Sequence, residues 1–194
     1  MSKIGKIPIP VPSGVQVSIA GQTVKAKGPQ GELEERVPAE VKVALQDGKL
    51  VLTADARSSR AVRTVFGTAR ARLANMVAGV HQGFTEVMDI VGLGYKAQLA
   101  GDKLTLSLGR SHPVEFGIPK GVKVTVDPKA VQVTLFAASR ELVGATAASL
   151  RGLKPPEPYK GTGIRYRGEH IQRKAGKTAA GVGAGAGAGG GAKK

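Results

Sequence analysis

The sequence predicts an α+β protein: two tandem, internally duplicated domains, each an antiparallel β-sheet packed against one helix, plus a basic extended C-terminal tail. Three observations predict it. The chain repeats itself at long range. Each copy passes from the period-two alternation of strands to the 3.6-residue period of a helix. Positive charge gathers after the second helix.

In the first copy, Gly14 to Ala26 alternates through Val15, Val17, Ile19 and Val24 and reads as strand. Gly28-Pro29-Gln30-Gly31 supplies a turn, and Val41-Val43-Leu45 and Leu50-Leu52 flank a second turn at Asp47-Gly48, a hairpin signal. A helix follows over Ser58–Val80, where Val62, Phe66, Ala69, Leu73, Met76 and Val80 recur at spacings of four and three and make an apolar stripe. Arg60, Arg63 and Arg70 lie off that stripe, free to solvate a face or to touch a phosphate backbone.

Phe84 to Leu99 reads as strand, a kink at Gly92-Leu93-Gly94, and strand again. Leu104, Leu106 and Leu108 alternate with Thr105 and Ser107 in a further strand, and Val143, Ala147, Leu150 and Leu153 mark a second helix over Ser139–Leu153. The duplication is direct. Laying Ala20-Gly21 on Ala100-Gly101, Gly28 on Gly109, Pro38 on Pro119, Val41-Lys42-Val43 on Val122-Lys123-Val124, Thr53 on Thr134 and Val62 on Val143 needs only a one-residue slip. The boundaries that follow are an N-terminal module 1–82, a second module 83–153, a basic Pro/Gly/Tyr segment 154–177 and a Gly/Ala-rich extension 178–194.

Charge indicates the partner. The 194 residues carry 29 Lys plus Arg against 14 Asp plus Glu, a formal net charge of +15, the footprint of a nucleic-acid binder. From Ala148 onward there are ten basic and two acidic residues, so the excess is concentrated at the C-terminus. Within that region, three prolines in the four residues Pro155 to Pro158 forbid a regular helix. Tyr159 and Tyr166 can stack on bases, Lys160, Arg165 and Arg167 can reach phosphates, and Gly161 and Gly163 let the backbone approach a surface.

Other functions are excluded or weak. No apolar run approaches the roughly 20 residues of a membrane span, and the N-terminus lacks a signal peptide's apolar core, so a soluble cytosolic protein is expected. Cysteine is absent, which removes disulfides and thiolate chemistry. Gly92-Leu93-Gly94-Tyr95-Lys96-Ala97 fits a dinucleotide-binding fingerprint, but strand follows where that motif needs a helix N-terminus. Gly185 to Gly190 matches only through composition. His81, His112 and His170 have no metal-ligand spacing, Glu32, Glu34 and Glu35 read as a solvated strand side, and no nucleophile elbow or phosphate-binding loop is present. Two rivals stay open: a DNA-associated, histone-like protein and a nucleotide-dependent enzyme.

Several motifs, in order, carry a resemblance: Ser2-Lys3-Ile4-Gly5-Lys6 with Pro8-Ile9, Lys27-Gly28-Pro29 with Gly31-Glu32-Leu33, Gly67-Thr68-Ala69-Arg70, Asn75-Met76-Val77 with Gly79-Val80, the Val91 to Ala97 kink, and Pro156-Glu157-Pro158-Tyr159-Lys160-Gly161 with Gly163-Ile164-Arg165-Tyr166. Together they resemble the bacterial form of the sixth large-subunit ribosomal protein family, from Ser2 to about Lys177. The resemblance implies a cytoplasmic, non-enzymatic component of the large subunit with no cofactor, metal, membrane or small-molecule substrate. It implies binding to 23S rRNA near the sarcin–ricin loop, beside other large-subunit proteins of the stalk base where translational GTPases dock. The residues it singles out are Tyr159, Lys160, Gly161, Gly163, Arg165 and Tyr166, with the neighbouring cations Arg151, Lys154, Arg167, Arg173, Lys174 and Lys177. Tyr95 and Lys96 at the kink, with Gly92 and Gly94 bending it, and Arg70, Lys3 and Lys6 complete the candidates. Thr162 stands where the family usually has lysine, and 178–194 is an addition.

Overall fold

The computed structural model describes residues 3–54, 60–174 and 176, and of Arg60 the backbone alone. The first module holds β1 (Ile9–Pro10), β2 (Gln16–Ala20), β3 (Thr23–Gly28), β4 (Gly31–Arg36), β5 (Val41–Gln46), β6 (Lys49–Ala54) and α1 (Arg60–Gln82). The second holds β7 (Phe84–Val91), β8 (Lys96–Ala100), β9 (Lys103–Ser107), β10 (Val114–Gly117), β11 (Lys123–Val126), β12 (Gln132–Ala137) and α2 (Arg140–Leu153), followed by β13 (Gly163–Tyr166).

All strand pairings among the described residues are antiparallel. The strands of each module are divided between two small sheets, where the sequence suggested one. The first module has the orders β2-β3-β4 and β1-β6-β5; the second repeats them as β8-β9-β10 and β7-β12-β11 and adds β13 beyond β7. The division falls at Pro38 and Pro119, the pair aligned in the duplication. Each begins a turn, with Val41 N donating to Pro38 O at 3.0 Å and Val122 N to Pro119 O at 3.2 Å. A proline there has no N–H with which to continue a ladder.

The stretch Gly14 to Ala26, read as one run, folds as a hairpin that pairs Ala20 with Thr23. Its turn glycine, Gly21, is the repeat partner of Gly101, which turns the hairpin of β8 and β9 in the same way. Asp47 (φ 48°) and Gly48 (φ 70°) between the paired Gln46 and Lys49 form the left-handed two-residue turn whose twist matches the flanking strands.

Each helix covers its own core. On α1, Phe66, Ala69, Leu73, Met76 and Val80 are buried with Val24, Leu50 and Leu52. On α2, Val143, Ala147 and Leu150 are buried with Met88, Leu104, Leu106, Leu135 and Ile164. Ser139 caps α2, its Oγ accepting from Leu142 N at 3.3 Å. The modules are locked together where α1 ends: a Cβ on Gly79 would lie 1.9 Å from Ala138 O, so only hydrogen fits. Around this contact Arg72 bridges Glu35 and Glu141, each at 3.2 Å, and Arg140 donates to Asn75 Oδ1 at 3.3 Å while lying 5.9 Å over the Phe84 ring.

The outer edges of β1 and β7 occupy equivalent places and are finished differently. Val11 N donates to Gly48 O at 3.0 Å, which turns Ile9 and Val11 toward β6 and the alternate Pro8, Pro10 and Pro12 toward the open edge. None of those three has an N–H to offer a further strand. The corresponding edge of β7 has no such prolines and is covered by β13.

Candidate nucleic-acid interface

The segment after α2, expected as an extended tail, begins as an integral part of the second module. Ile164 and Tyr166 alternate inward, so Gly163–Tyr166 can add to the β7 edge, where Gly163 faces Val91 and Tyr166 faces Met88. Ile164 is 1% exposed. Gly163 (φ 143°) makes the approach possible, because a Cβ there would lie 2.7 Å from Pro155 O and 2.8 Å from Lys154 O. Ile164 N donates back to Lys154 O at 2.8 Å, which fixes the start of the strand.

Between Lys154 and β13 the chain makes a closed loop. Glu157 N donates to Thr162 O at 2.9 Å, Gly161 N to Glu157 O at 3.0 Å, and Thr162 Oγ1 to Glu157 Oε2 at 2.9 Å. Thr162 therefore uses its hydroxyl inside the loop. Tyr159, 53% exposed, and Lys160 stand outside it. Beyond β13 the chain returns: Arg167 N donates to Val87 O at 2.9 Å and Lys174 N to Pro158 O at 2.8 Å, while the Arg173 guanidinium lies beside Gly161. The exposed side chains of Tyr159, Lys160, Arg173 and Lys174 are thereby gathered around one loop. Because Gly163 pairs with Val91, the Gly92–Gly94 kink lies at the same end of the β7–β13 pair.

The remaining candidates fare differently. At the kink, Tyr95 N donates to Gly92 O at 3.3 Å and the Tyr95 ring packs so close to Gly92 that a Cβ would approach it to 2.5 Å. Gly94 takes a positive φ of 76°, Lys96 is exposed, and Leu93 at the tip is completely exposed. Arg151 is held within the protein, its Nη2 and Nε donating to Glu169 at 2.6 and 3.3 Å and its guanidinium 6.0 Å over the Tyr166 ring. The hydrogen bond from Arg151 holds the Glu169 carboxyl below its ordinary range and raises Arg151 in turn. Arg165 faces Asp89 across the strands, yet Arg165 Nε and Asp89 Oδ1 are both enclosed without a hydrogen-bond partner. Lys154 is half-buried.

Arg70 belongs to the first module, half-buried, with Nε donating to Ile7 O at 3.3 Å. That bond tethers the N-terminal turn, closed by Ile7 N on Ile4 O at 3.1 Å, on which Lys3 and Lys6 are exposed. Lys177 and the extension 178–194 lie outside the described residues. Sequence reasoning missed Glu157 and Glu169, the two carboxylates that shape the loop and its return. Their only local signal is that they are the sole acidic residues in the basic C-terminal stretch. Among the described residues no group of three or more His, Asp or Glu could hold a metal, and no helix is long and apolar enough to cross a membrane.

Comparison with known proteins accounts for both modules. The sequence pattern of the family described as ribosomal protein L6 matches residues 11–83 and again 91–167, one match per module. A large ribosomal subunit protein uL6 of Synechococcus sp. (strain RCC307) is 51% identical over 178 residues, covering 92% of this chain and 98% of the relative. The uL6 proteins of Picosynechococcus sp. (strain ATCC 27264 / PCC 7002 / PR-6) and Nitrobacter winogradskyi are each 48% identical over 177 residues, 91% of this chain and 98% and 99% of theirs. With its duplicated fold, its order of motifs and these likenesses along nearly the whole length, the chain belongs to the ribosomal protein L6 family.

Proposed function

We propose that this chain, a non-enzymatic protein of the cytoplasmic large ribosomal subunit, binds 23S rRNA near the sarcin–ricin loop and stalk base. There it supports subunit assembly and the region where translational GTPases dock, beside other large-subunit proteins. The observation that carries this reading is the gathering of Tyr159, Lys160, Arg173 and Lys174 around one hydrogen-bonded loop, with Arg167 exposed beyond it. Stacking by Tyr159 and phosphate contacts by the cations suit the recognition of folded RNA, in which shape and unstacked bases count for more than a base-edge code. The arm 154–177 is the principal contact. Lys96 at the kink adds to it at the same end of the molecule, and Arg70, Lys3 and Lys6 offer a separate, weaker contact on the first module.

Gradient fractionation tests the coarse claim and chemical footprinting the finer one. The protein should sediment with the large subunit, and its addition to purified 23S rRNA should protect nucleotides of the sarcin–ricin loop region. If six to ten phosphates are neutralised, affinity should fall by roughly 10³ to 10⁵ between about 50 and 200 mM salt. Protection confined to other regions would refute the placement.

A further inference from the structure

The carboxylate of Glu169 is out of character for its surroundings. From Ala148 onward it is one of two acidic residues among ten basic ones, in the part of the chain assigned above to a polyanion. A carboxylate in that position repels phosphate through space, and replacing it should tighten binding if charge alone mattered.

Its contacts give it a different role. Glu169 Oε1 accepts from Arg151 Nη2 at 2.6 Å, and Oε2 accepts from Arg151 Nε at 3.3 Å and from Tyr166 N at 3.0 Å. Its own N–H donates to Tyr166 O at 3.0 Å. The last turn of α2, the end of β13 and the start of the returning chain therefore meet at one side chain. A two-pronged arginine–carboxylate pair fixes direction as well as distance. Here it turns the chain at Arg167-Gly168 so that Arg165, His170 and Arg173 border, together with the clamped Glu169 itself, a single cleft of about 490 Å³. The Arg151 cation, committed to this pair, offsets the carboxylate's charge.

Resting on the RNA-binding reading, we propose that Glu169 is a positioning residue for RNA: it folds 167–174 back so that the cleft bordered by Arg165, His170 and Arg173 can receive a backbone phosphate. Arg165 borders that cleft, while its Nε is enclosed without a hydrogen-bond partner. The consequence runs against electrostatics. Removing a negative charge from the RNA-binding arm weakens RNA binding.

The test is filter binding of the full chain to transcribed 23S rRNA across a salt series, for wild type, Glu169→Gln, Arg151→Met, the double variant, and Glu32→Gln as a remote carboxylate control. Glu169→Gln should weaken binding about tenfold, the loss expected when charge-assisted hydrogen bonds are removed. The double variant should be no weaker than Arg151→Met alone, because both substitutions break one linkage. The salt slope should become shallower, and hydrogen exchange should quicken at Tyr166 to Lys174 while the amides of β7 and β12 stay protected, which separates positioning from general unfolding. Should Arg151→Met melt the module, Glu169→Gln, which keeps the side chain's volume and one acceptor, decides the matter. Wild type binding with Glu169→Gln equal or tighter overturns the proposal and leaves the RNA reading standing. Absence of binding by wild type overturns both.

Discussion

Ile164 separates two views of the arm that follow α2. If the signature segment were a free RNA-binding rod, Ile164→Ala would affect RNA alone. The side chain is 1% exposed and lies among Met88, Ile90, Leu135 and Leu150, so its truncation leaves a cavity in the second core. Buried isoleucine to alanine costs about 2–5 kcal/mol, and Ile164→Val about 0.5–1.5. For a chain of this size the alanine variant should lower the melting midpoint by about 4–20 °C, at about 2–4 °C per kcal/mol. Urea unfolding followed by circular dichroism, with both variants beside wild type, measures the difference directly. A shift below about 0.5 kcal/mol for Ile164→Ala would refute the reasoning, since that is the scatter of ordinary surface substitutions. Arg167→Ala, altering an exposed side chain three residues on, should leave stability unchanged and weaken RNA binding.

Replacing Lys160 and Arg173 together by alanine should reduce the slope of log affinity against log salt by about one to two, as two phosphate contacts are lost; an unchanged slope removes both from the interface. Gly79→Ala should destabilise by several kcal/mol or part the two modules, because its Cβ would lie 1.9 Å from the Ala138 carbonyl oxygen, a backbone atom that cannot swing aside. A melt within about 0.5 kcal/mol of wild type would show that the junction yields. The depressed Glu169 carboxyl implies a pH dependence of definite sign: its contribution is complete above the unfolded carboxylate value of about 4.3 and is lost as pH falls through the lower folded value. Carbon-detected NMR titration reads this directly, and a Glu169 midpoint at or above the ordinary value would contradict the Arg151 clamp.

Much of this was legible because the signals were local. The hairpin at Asp47-Gly48, the apolar stripes of α1 and α2 and the kink at Gly92–Gly94 each depend on residues close in the chain whose backbone preferences agree with the fold. The duplication lent further weight, since residues such as Gly21 and Gly101 or Pro38 and Pro119 recur at matching places in the two copies. The division of each module into two sheets was written only in Pro38 and Pro119, whose effect depends on which strands lie alongside. Basic composition singled out the C-terminal arm as a region, yet it could not sort the arginines. Arg151 and Arg173 look alike in sequence; one is tied to Glu169 and the other stands exposed beside Gly161. That distinction arises from a carboxylate eighteen residues from Arg151 and from pairing with β7, both long-range facts.

The two ways of finishing the equivalent edges of β1 and β7 bear on how the protein can be dissected. Cutting the chain after Leu153 is the obvious way to ask what the basic arm does. Such a cut would also strip β13 from β7 and bare a ladder of unpaired amides beside Met88 and Ile90, a template for self-association. Insolubility of that fragment would then pass for loss of an RNA contact. The first module carries no equivalent hazard, because Pro8, Pro10 and Pro12 leave its rim without donors. Function in the arm is therefore better dissected by neutralising its cations one at a time with Gly163–Tyr166 left in place, whereas the first module can be excised at Gln82 without opening the rim of β1.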